Sequence, residues 1–163
     1  MEIENIREKY QHEEKADKPR VLIYHTHTYE AFEQNPNDPY PECGKWRTED
    51  SRYNIVRVGD ALAEELEALD IEVVHDTTEH EPPKLGTAYL RSLKTLEGYA
   101  QRGEEFDMMI DLHRDAASSR NTNPSCVTAN GIKYARMMVL IGNGKGRNGN
   151  SFSIKPNWKE NYK

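Results

Sequence analysis

The chain has 163 residues and a formal net charge of −6, which fits one soluble domain with a single core. Its charges are of mixed sign and form no basic stripe, so nucleic acid is excluded as the expected partner. No apolar run approaches the roughly 20 residues of a membrane helix, and no signal peptide follows Met1, which predicts either a cytosolic protein or a fragment without its membrane anchor.

The first half of the chain predicts a strand, a long loop and a helix. Residues 1–19 are almost wholly polar and are typical of a tail or a frayed helix, so residues 20–163 are expected to form the domain. Residues 21–24 begin a buried strand. The Pro-rich and Asn-rich stretch 35–46 has no periodicity and predicts a functional or mobile loop. Apolar residues then recur every three or four positions over 53–69, which predicts an amphipathic helix.

The second half continues the alternation of strands and helices. Residues 71–74 and 106–112 predict strands, and the apolar spacing over 89–100 predicts a helix between them. Residues 134–141 predict a fourth strand, with two methionines in the core. This order, with right-handed crossovers, predicts an α/β fold with a mostly parallel central sheet and helices on both faces. Residues 156–163 look like a helix start that nothing follows, so we expect the C-terminal part of the domain to be missing.

Two segments distant in sequence carry histidines and carboxylates at the ends of predicted strands, residues 24–30 and 110–115. The carboxyl ends of parallel strands line the crevice in which open α/β sheets bind their ligands, so these side chains are expected to meet. Imidazole and carboxylate are the ligands of a catalytic zinc ion that keeps one position open for water. The pattern predicts a zinc hydrolase with His27 and His113 as ligands.

A third zinc ligand is required, and Glu30 is preferred because it follows His27 by three residues. Glutamate or aspartate just before the first helix is the main rival, although such a charge is also a common helix cap. The candidates that remain open are Glu49, Asp50, His75 and Asp76.

Three further residues are expected to support the metal ligands. His25 is interpreted as a hydrogen-bonding partner of the site, and Asp111 and Asp115 flank His113. The structural alternatives are buried imidazoles that hydrogen-bond to the backbone and, around His113, an ion-pair cluster.

Several other features are interpreted without a functional role. His12 and His80 lie among charged residues and are expected in solvent. Cys43 and Cys126 show no CxxC spacing, and they either pair or are incidental. The glycine-rich stretch 142–146 matches no phosphate-binding spacing and predicts a flexible loop.

The chain resembles the catalytic domain of the stage II sporulation protein P family, peptidoglycan hydrolases of endospore-forming bacteria. The resemblance covers most of residues 18–158. It rests on IYHTH at 23–27 with Glu30, NIVRVG at 54–59, HDTT at 75–78, AYLRS at 88–92 and IDLHRDA at 110–116. The family is similar to zinc-dependent N-acetylmuramoyl-L-alanine amidases, which have a parallel-sheet α/β fold.

The resemblance implies particular roles for residues of the site. His27 and His113 occupy the two histidine ligand positions. Zinc-bound hydroxide attacks the amide between muramic acid and L-alanine, and Arg114 is the cation that helps to stabilise the oxyanion. The amidases also carry a glutamate ligand before the first helix and a general-base glutamate on a late strand. Residues 48–54 do not align cleanly with the former, hence the preference for Glu30, and the latter is expected to be absent from this chain, which implies weak activity or none.

The resemblance also implies a setting and partners. The full-length protein would be anchored in the mother-cell membrane, outside the cytoplasm, and would face the septal cell wall between mother cell and forespore. Its partners would be peptidoglycan and a lytic transglycosylase of the stage II sporulation protein D type. The alternatives are endopeptidase activity on cross-links, a catalytically inactive peptidoglycan-binding or scaffold domain of the same fold, and a metal-dependent phosphoesterase, against which the lack of a second Asp and His cluster argues.

Overall fold

The computed structural model describes residues 18–115, 126–141 and 159. The predicted tail at 1–17, His12, the glycine-rich stretch 142–146 and most of the C-terminal segment 156–163 lie outside the described residues. In chain order the elements are β1 (Arg20–Tyr24), α1 (Ile55–Glu67), β2 (Glu72–His75), a 3₁₀ turn (Leu85–Thr87), α2 (Ala88–Gln101), β3 (Met108–Asp111), β4 (Cys126–Ala129) and β5 (Ile132–Ala135).

The chain divides into two compact units, residues 1–116 and 117–163, and a three-stranded parallel sheet forms the centre of the first. Its order is β2-β1-β3, and Val21 of β1 lies opposite Val73 of β2 and Met108 of β3. Leu22 and Ile23 of β1 have no exposed surface, as expected for the central strand of a sheet covered on both faces. The predicted α/β class is confirmed, and the three strands and two helices lie within a few residues of their predicted positions.

The two helices contact opposite sides of the chain just beyond β1. The imidazole of His25 lies against Gly59 of α1, while the hydroxyl oxygen of Thr26 lies 2.8 Å from that of Ser92 of α2. Consecutive residues of an extended chain point to opposite faces, so the site that follows β1 has one helix on each side. Among the described residues, no helix has both the length and the apolar character that a membrane crossing demands.

The side chain of Asn54 caps the start of α1 by accepting a hydrogen bond from a backbone N–H of the first turn. Asn54, which is buried, accepts a hydrogen bond from Val56 N at 3.0 Å and donates to the Thr48 carbonyl at 3.2 Å. Asparagine is among the preferred N-cap residues because its side-chain oxygen replaces a missing intrahelical acceptor. The Ile55 N–H also donates to the Glu30 carbonyl at 2.7 Å, so the start of α1 is tied to the loop that carries Glu30.

The prediction of a fourth strand at 134–141 is wrong. Residues 132–135 form β5, which pairs antiparallel with β4 in a hairpin of the second unit, residues 117–163. Asn130 and Gly131 have φ values of 51° and 78°, the turn geometry that Asn-Gly favours between two strands. Residues 136–141 are not in a strand, and Met137 is 93% exposed rather than in a core. Cys126 of this hairpin is free and exposed, as is Cys43.

Candidate functional site

The ends of β1 and β3 bring the predicted site residues together. The imidazole rings of His27 and His113 are 5.4 Å apart between centroids, and Tyr89 of α2 lies beside both, at 5.4 Å and 6.3 Å. Tyr24 of β1 lies opposite Asp111 of β3, so the two chain segments leave the sheet side by side. Parallel strands place both segments at one edge, which is why residues separated by about 85 positions meet.

His113 lies between two carboxylates. Its Nδ1 is 3.3 Å from Glu30 Oε2 and its Nε2 is 3.1 Å from Asp111 Oδ1. These two contacts outweigh the effect of burial and raise the pKa of His113 to about 9. The imidazole is therefore positively charged at neutral pH when nothing else is bound.

Both carboxylates remain ionised although they are largely buried. Burial opposes ionisation, but hydrogen bonds from His113 and from the Arg114 N–H, at 3.0 Å, keep the pKa of Glu30 below its usual value. Burial acts in the same way on Asp111, where His113 and the Thr26 N–H and hydroxyl, at 2.8 and 2.7 Å, keep its pKa low. The site thus holds two fixed negative charges.

His27 differs from His113 because burial dominates its environment and lowers its pKa. Its buried Nδ1 has no hydrogen-bond partner among the residues that the structure describes, and Glu81 Oε1 lies 3.7 Å away. A neutral imidazole with an unsatisfied buried nitrogen is uncommon in folded proteins, where such groups are nearly always paired. His27 is therefore a neutral ring whose Nδ1 faces Glu81 without forming a hydrogen bond.

Glu81 is a carboxylate of this site that no sequence pattern singles out. It is 6% exposed, accepts a hydrogen bond from Tyr29 N at 3.1 Å and forms an ion pair with Arg47. Arg91 of α2 donates to the carbonyls of His80, Glu81 and Lys84, which holds the loop that carries the carboxylate. The local sequence is charged and proline-rich, so only the contacts with distant residues reveal it.

The expectation that His80 lies in solvent is wrong. It is 1% exposed, donates from Nδ1 to the His25 carbonyl at 2.7 Å, and its Nε2 lies 2.8 Å from Thr95 Oγ1. The charged neighbours of His80 in sequence face elsewhere, while its own ring packs between the end of β1 and α2. Burial here is set by tertiary contacts, which the local composition does not reflect.

The other candidates for a third metal ligand face elsewhere. Glu49 is exposed, Asp50 pairs with Arg52, His75 faces His25 and Asp60, and Asp76 accepts hydrogen bonds from Thr78 and Tyr99.

The remaining predicted site residues hold the backbone. Arg114 donates through Nε to the Ala31 carbonyl at 3.1 Å and through Nη1 to the Asp115 carbonyl at 3.2 Å. Asp115 itself is exposed. His25 uses both ring nitrogens, one toward the Leu112 carbonyl at 3.0 Å and one toward His75 at 2.8 Å.

The chemistry of these side chains fits a zinc ion. The 3.3 Å between His113 Nδ1 and Glu30 Oε2 exceeds the usual charge-assisted hydrogen bond of about 2.8 Å and is close to the roughly 3.4 Å between two ligands of a tetrahedral zinc ion. Asp111 and Glu81 then stand behind His113 and His27 as carboxylate partners of ligand imidazoles commonly do. Within residues 18–115 and 126–141, however, no group of three or more such side chains is already arranged around one point as a metal site. Binding would require His113 to lose its proton.

A family described as stage II sporulation protein P matches residues 2–163. The stage II sporulation protein P of Bacillus subtilis (strain 168) is 26% identical over 155 residues, which are 91% of this chain and 34% of the relative. The chain thus spans about a third of the length of that relative. No solved structure gives a significant match.

Proposed function

The chain belongs to the stage II sporulation protein P family, and we propose that it is the hydrolytic domain of a zinc-dependent peptidoglycan hydrolase that acts in sporulation. The proposed reaction is that of an N-acetylmuramoyl-L-alanine amidase, which cleaves the amide between muramic acid and L-alanine. Endopeptidase cleavage of peptide cross-links belongs to the same chemical class. The observation that carries the proposal is the convergence of His27, Glu30 and His113 at the carboxyl ends of β1 and β3.

His27, His113 and Glu30 are the proposed holders of zinc. Two imidazoles and one carboxylate are a ligand set of catalytic zinc sites that leave a position open. Bound zinc would supply Lewis acidity and a water of lowered pKa at neutral pH. Glu30 suits this role because its carboxylate stays ionised, and His27 because its ring stays neutral.

Other residues of the site have proposed roles toward the substrate. The ring of Tyr89, 62% exposed, forms a wall beside both imidazoles and offers an apolar face to a sugar or peptide. The guanidinium of Arg114 brings positive charge next to Glu30, where an amide oxyanion would be stabilised. Asp111 and Glu81 orient the two ligand imidazoles from behind.

The first test is zinc content, measured by plasma mass spectrometry on dialysed protein after zinc loading. We expect about one zinc ion per chain in the parent, as three ligands and an open position hold one ion, and loss of zinc in His27→Ala and in His113→Ala. Glu30→Gln is expected to lose zinc, whereas Glu49→Gln, which changes an exposed carboxylate, retains it. A parent without zinc, or retention of zinc in both histidine variants, would contradict the proposed site.

The second test is the bond that is cleaved. Incubation of zinc-loaded protein with purified peptidoglycan is expected to release new amino-terminal alanine, since amidase cleavage frees the amine of L-alanine. Release of other amino termini without alanine would indicate endopeptidase cleavage instead. His113→Ala serves as the control, because this variant lacks one proposed zinc ligand and is otherwise identical to the parent protein.

A second candidate function is a peptidoglycan-binding domain without turnover. The ion-pair arrangement of His113 between Glu30 and Asp111 favours it, because both ring nitrogens already face carboxylates without a metal. This candidate predicts sedimentation of the protein with peptidoglycan and no release of alanine, with or without zinc.

The proposed setting is that of the longer family members. We propose that the whole protein is anchored in the mother-cell membrane, faces the septal cell wall outside the cytoplasm and acts with a lytic transglycosylase of the stage II sporulation protein D type. Co-purification of the full-length protein with that transglycosylase from sporulating membranes would test the partnership, and protease accessibility of intact protoplasts would test the location.

A further inference from the structure

A chain of hydrogen bonds joins α1 to the backbone immediately before His113. His25, with no exposed surface, donates from Nδ1 to the Leu112 carbonyl at 3.0 Å, and its Nε2 lies 2.8 Å from His75 Nε2. His75 Nδ1 lies 3.0 Å from the Asp60 carboxylate. All four nitrogens of the two imidazoles therefore face partners within this network, so neither ring offers a nitrogen to a metal ion.

Gly59 makes room for the two imidazoles. A Cβ at this position would lie 2.4 Å from His75 Nε2 and 2.9 Å from His25 Nε2, closer than side chains approach each other in folded proteins. Glycine in the interior of a helix costs about 1 kcal/mol relative to alanine. The two imidazoles that lie against Gly59 explain why a glycine occupies this position near the start of α1.

The network ends at the peptide that precedes His113. The Leu112 N–H donates to the Tyr24 carbonyl at 2.9 Å, and the Leu112 carbonyl accepts from His25. On the other side of His113, the Arg114 N–H donates to Glu30 at 3.0 Å. His113 is thus held between two anchored residues, and His25 provides one of the anchors.

We propose that His75 and Asp60 are positioning residues of the site. Acting through His25, they fix the Leu112 carbonyl and so determine where the His113 imidazole lies relative to Glu30. The carboxylate of Asp60 orients His75, His75 orients His25, and His25 holds the peptide. The consequence for zinc rests on the proposed function, because His113 is one of its ligands, whereas the placement of His113 in the metal-free protein does not depend on it.

The experiment compares the side-chain nitrogens of His113 by ¹H–¹⁵N NMR in the metal-free protein, with the signals assigned by their loss in His113→Gln. We expect His75→Leu to shift these signals and Asp60→Asn to shift them less in the same direction. His75→Gln, whose amide can still donate toward His25, is expected to restore most of the parental spectrum. Glu64→Gln, an exposed carboxylate on the same helix, is the control and leaves the signals unchanged.

A matched pair of glycine variants tests the same network without removing any of its groups. Gly59→Ala introduces a methyl group between the imidazoles and is expected to shift the His113 signals. Gly98→Ala, in the interior of α2, meets only the guanidinium of Arg102, at 3.4 Å, and is expected to leave them unchanged. Because alanine is the better helix former, both variants gain the same intrinsic propensity.

The NMR spectra of these variants test the positioning role of His75 and Asp60 independently of zinc binding. If His75→Leu and Asp60→Asn leave the His113 signals at their parental positions, the positioning role is overturned. If His75→Leu does not unfold cooperatively, the result with Asp60→Asn tests the positioning role instead. The side chain of Asp60 is 61% exposed, so its substitution is not expected to disrupt folding.

Chelator competition provides the corresponding zinc readout. His75→Leu is expected to weaken zinc binding by less than the roughly 10–100-fold that follows loss of a direct partner of a metal ligand, because His75 acts through His25 and the Leu112 carbonyl. A parent that binds no zinc overturns the proposed function and leaves the NMR result standing. A folded variant can also show moved His113 signals and an unchanged zinc affinity. That result would overturn the link between the position of His113 and metal binding.

Discussion

His113 carries a positive charge because two buried carboxylates face its two nitrogens. In the folded protein its pKa is raised to about 9, whereas in the unfolded chain it returns to 6.5. A raised folded pKa means that the group stabilises the fold fully below the unfolded value, and that this contribution is lost as the pH rises through the folded value. The difference amounts to about 3 kcal/mol at most.

We therefore expect the free energy of unfolding of the metal-free protein to fall between about pH 6.5 and pH 9. Urea unfolding at several pH values measures it. His113→Gln lacks the titrating group and is expected to show a smaller fall over the same interval. Equal slopes for the parent and His113→Gln would contradict the ion pairs seen between His113, Glu30 and Asp111.

Glu81 Oε1 lies 3.7 Å from Nδ1 of His27, and the carboxylate of Glu81 is fixed by Arg47 and Tyr29. We expect Glu81→Gln to weaken zinc binding about 10–100-fold, because the carboxylate behind a ligand imidazole sets its orientation and basicity. Chelator competition measures the affinity. Glu79→Gln is the control, since Glu79 is exposed and bonds only the Tyr29 hydroxyl among the contacts described. Identical affinities in the two variants would refute this role of Glu81.

At the level of elements, the loop between β1 and α1 is tied to the sheet end by the start of the helix. The buried side chain of Asn54 both caps α1 and holds the Thr48 carbonyl, and the Ile55 N–H bonds the Glu30 carbonyl. The helix start therefore stabilises the segment on which Glu30 lies. Loss of the cap would loosen a proposed ligand as well as a helix.

Asn54→Ala is expected to lower the free energy of unfolding by about 1 to 2 kcal/mol, because the first turn of α1 loses its side-chain acceptor. Urea unfolding of the metal-free protein measures the loss. Asn54→Ser keeps an oxygen that can accept from the Val56 N–H, and we expect it to recover most of the stability. Equal losses in both variants would show that the cap does not contribute.

For the molecule as a whole, the proposed zinc site would couple metal binding, protonation and folding. Zinc would have to displace the proton of His113, so its apparent affinity is expected to rise as the pH increases from about 7 toward 9. A ligand that binds only the folded state also raises the melting temperature, by an amount that grows with its concentration relative to the dissociation constant.

Zinc titrations followed by thermal unfolding at several pH values test this coupling. The stabilisation by a fixed zinc concentration is expected to increase with pH over this interval, opposite in sign to the behaviour of the metal-free protein. A zinc effect that does not change with pH would mean that His113 is not a ligand. His113→Ala is the control and is expected to show little stabilisation at any pH.

Local patterns in the sequence are sufficient to predict the strands and helices of the first unit and part of the candidate site. The strands and helices of the first unit follow from apolar periodicity, and the meeting of His27 with His113 follows from the rule that parallel strands end at one edge. The prediction of a strand at 134–141 is wrong because an exposed apolar run has the same local pattern as a core strand, although Asn130-Gly131 is a recognised turn signal.

By itself the sequence determined the α/β class, the order of the strands and helices in residues 20–111 and the family to which the chain belongs, because each depends on local pattern or on ordered motifs. Only the tertiary structure decided that His80 is buried, that Glu81 lies behind His27 and that two carboxylates charge His113. The physical reason is that burial and charge depend on partners that lie far away along the chain. His80 packs against the end of β1, some 55 residues away, and His113 meets Glu30 across the sheet edge.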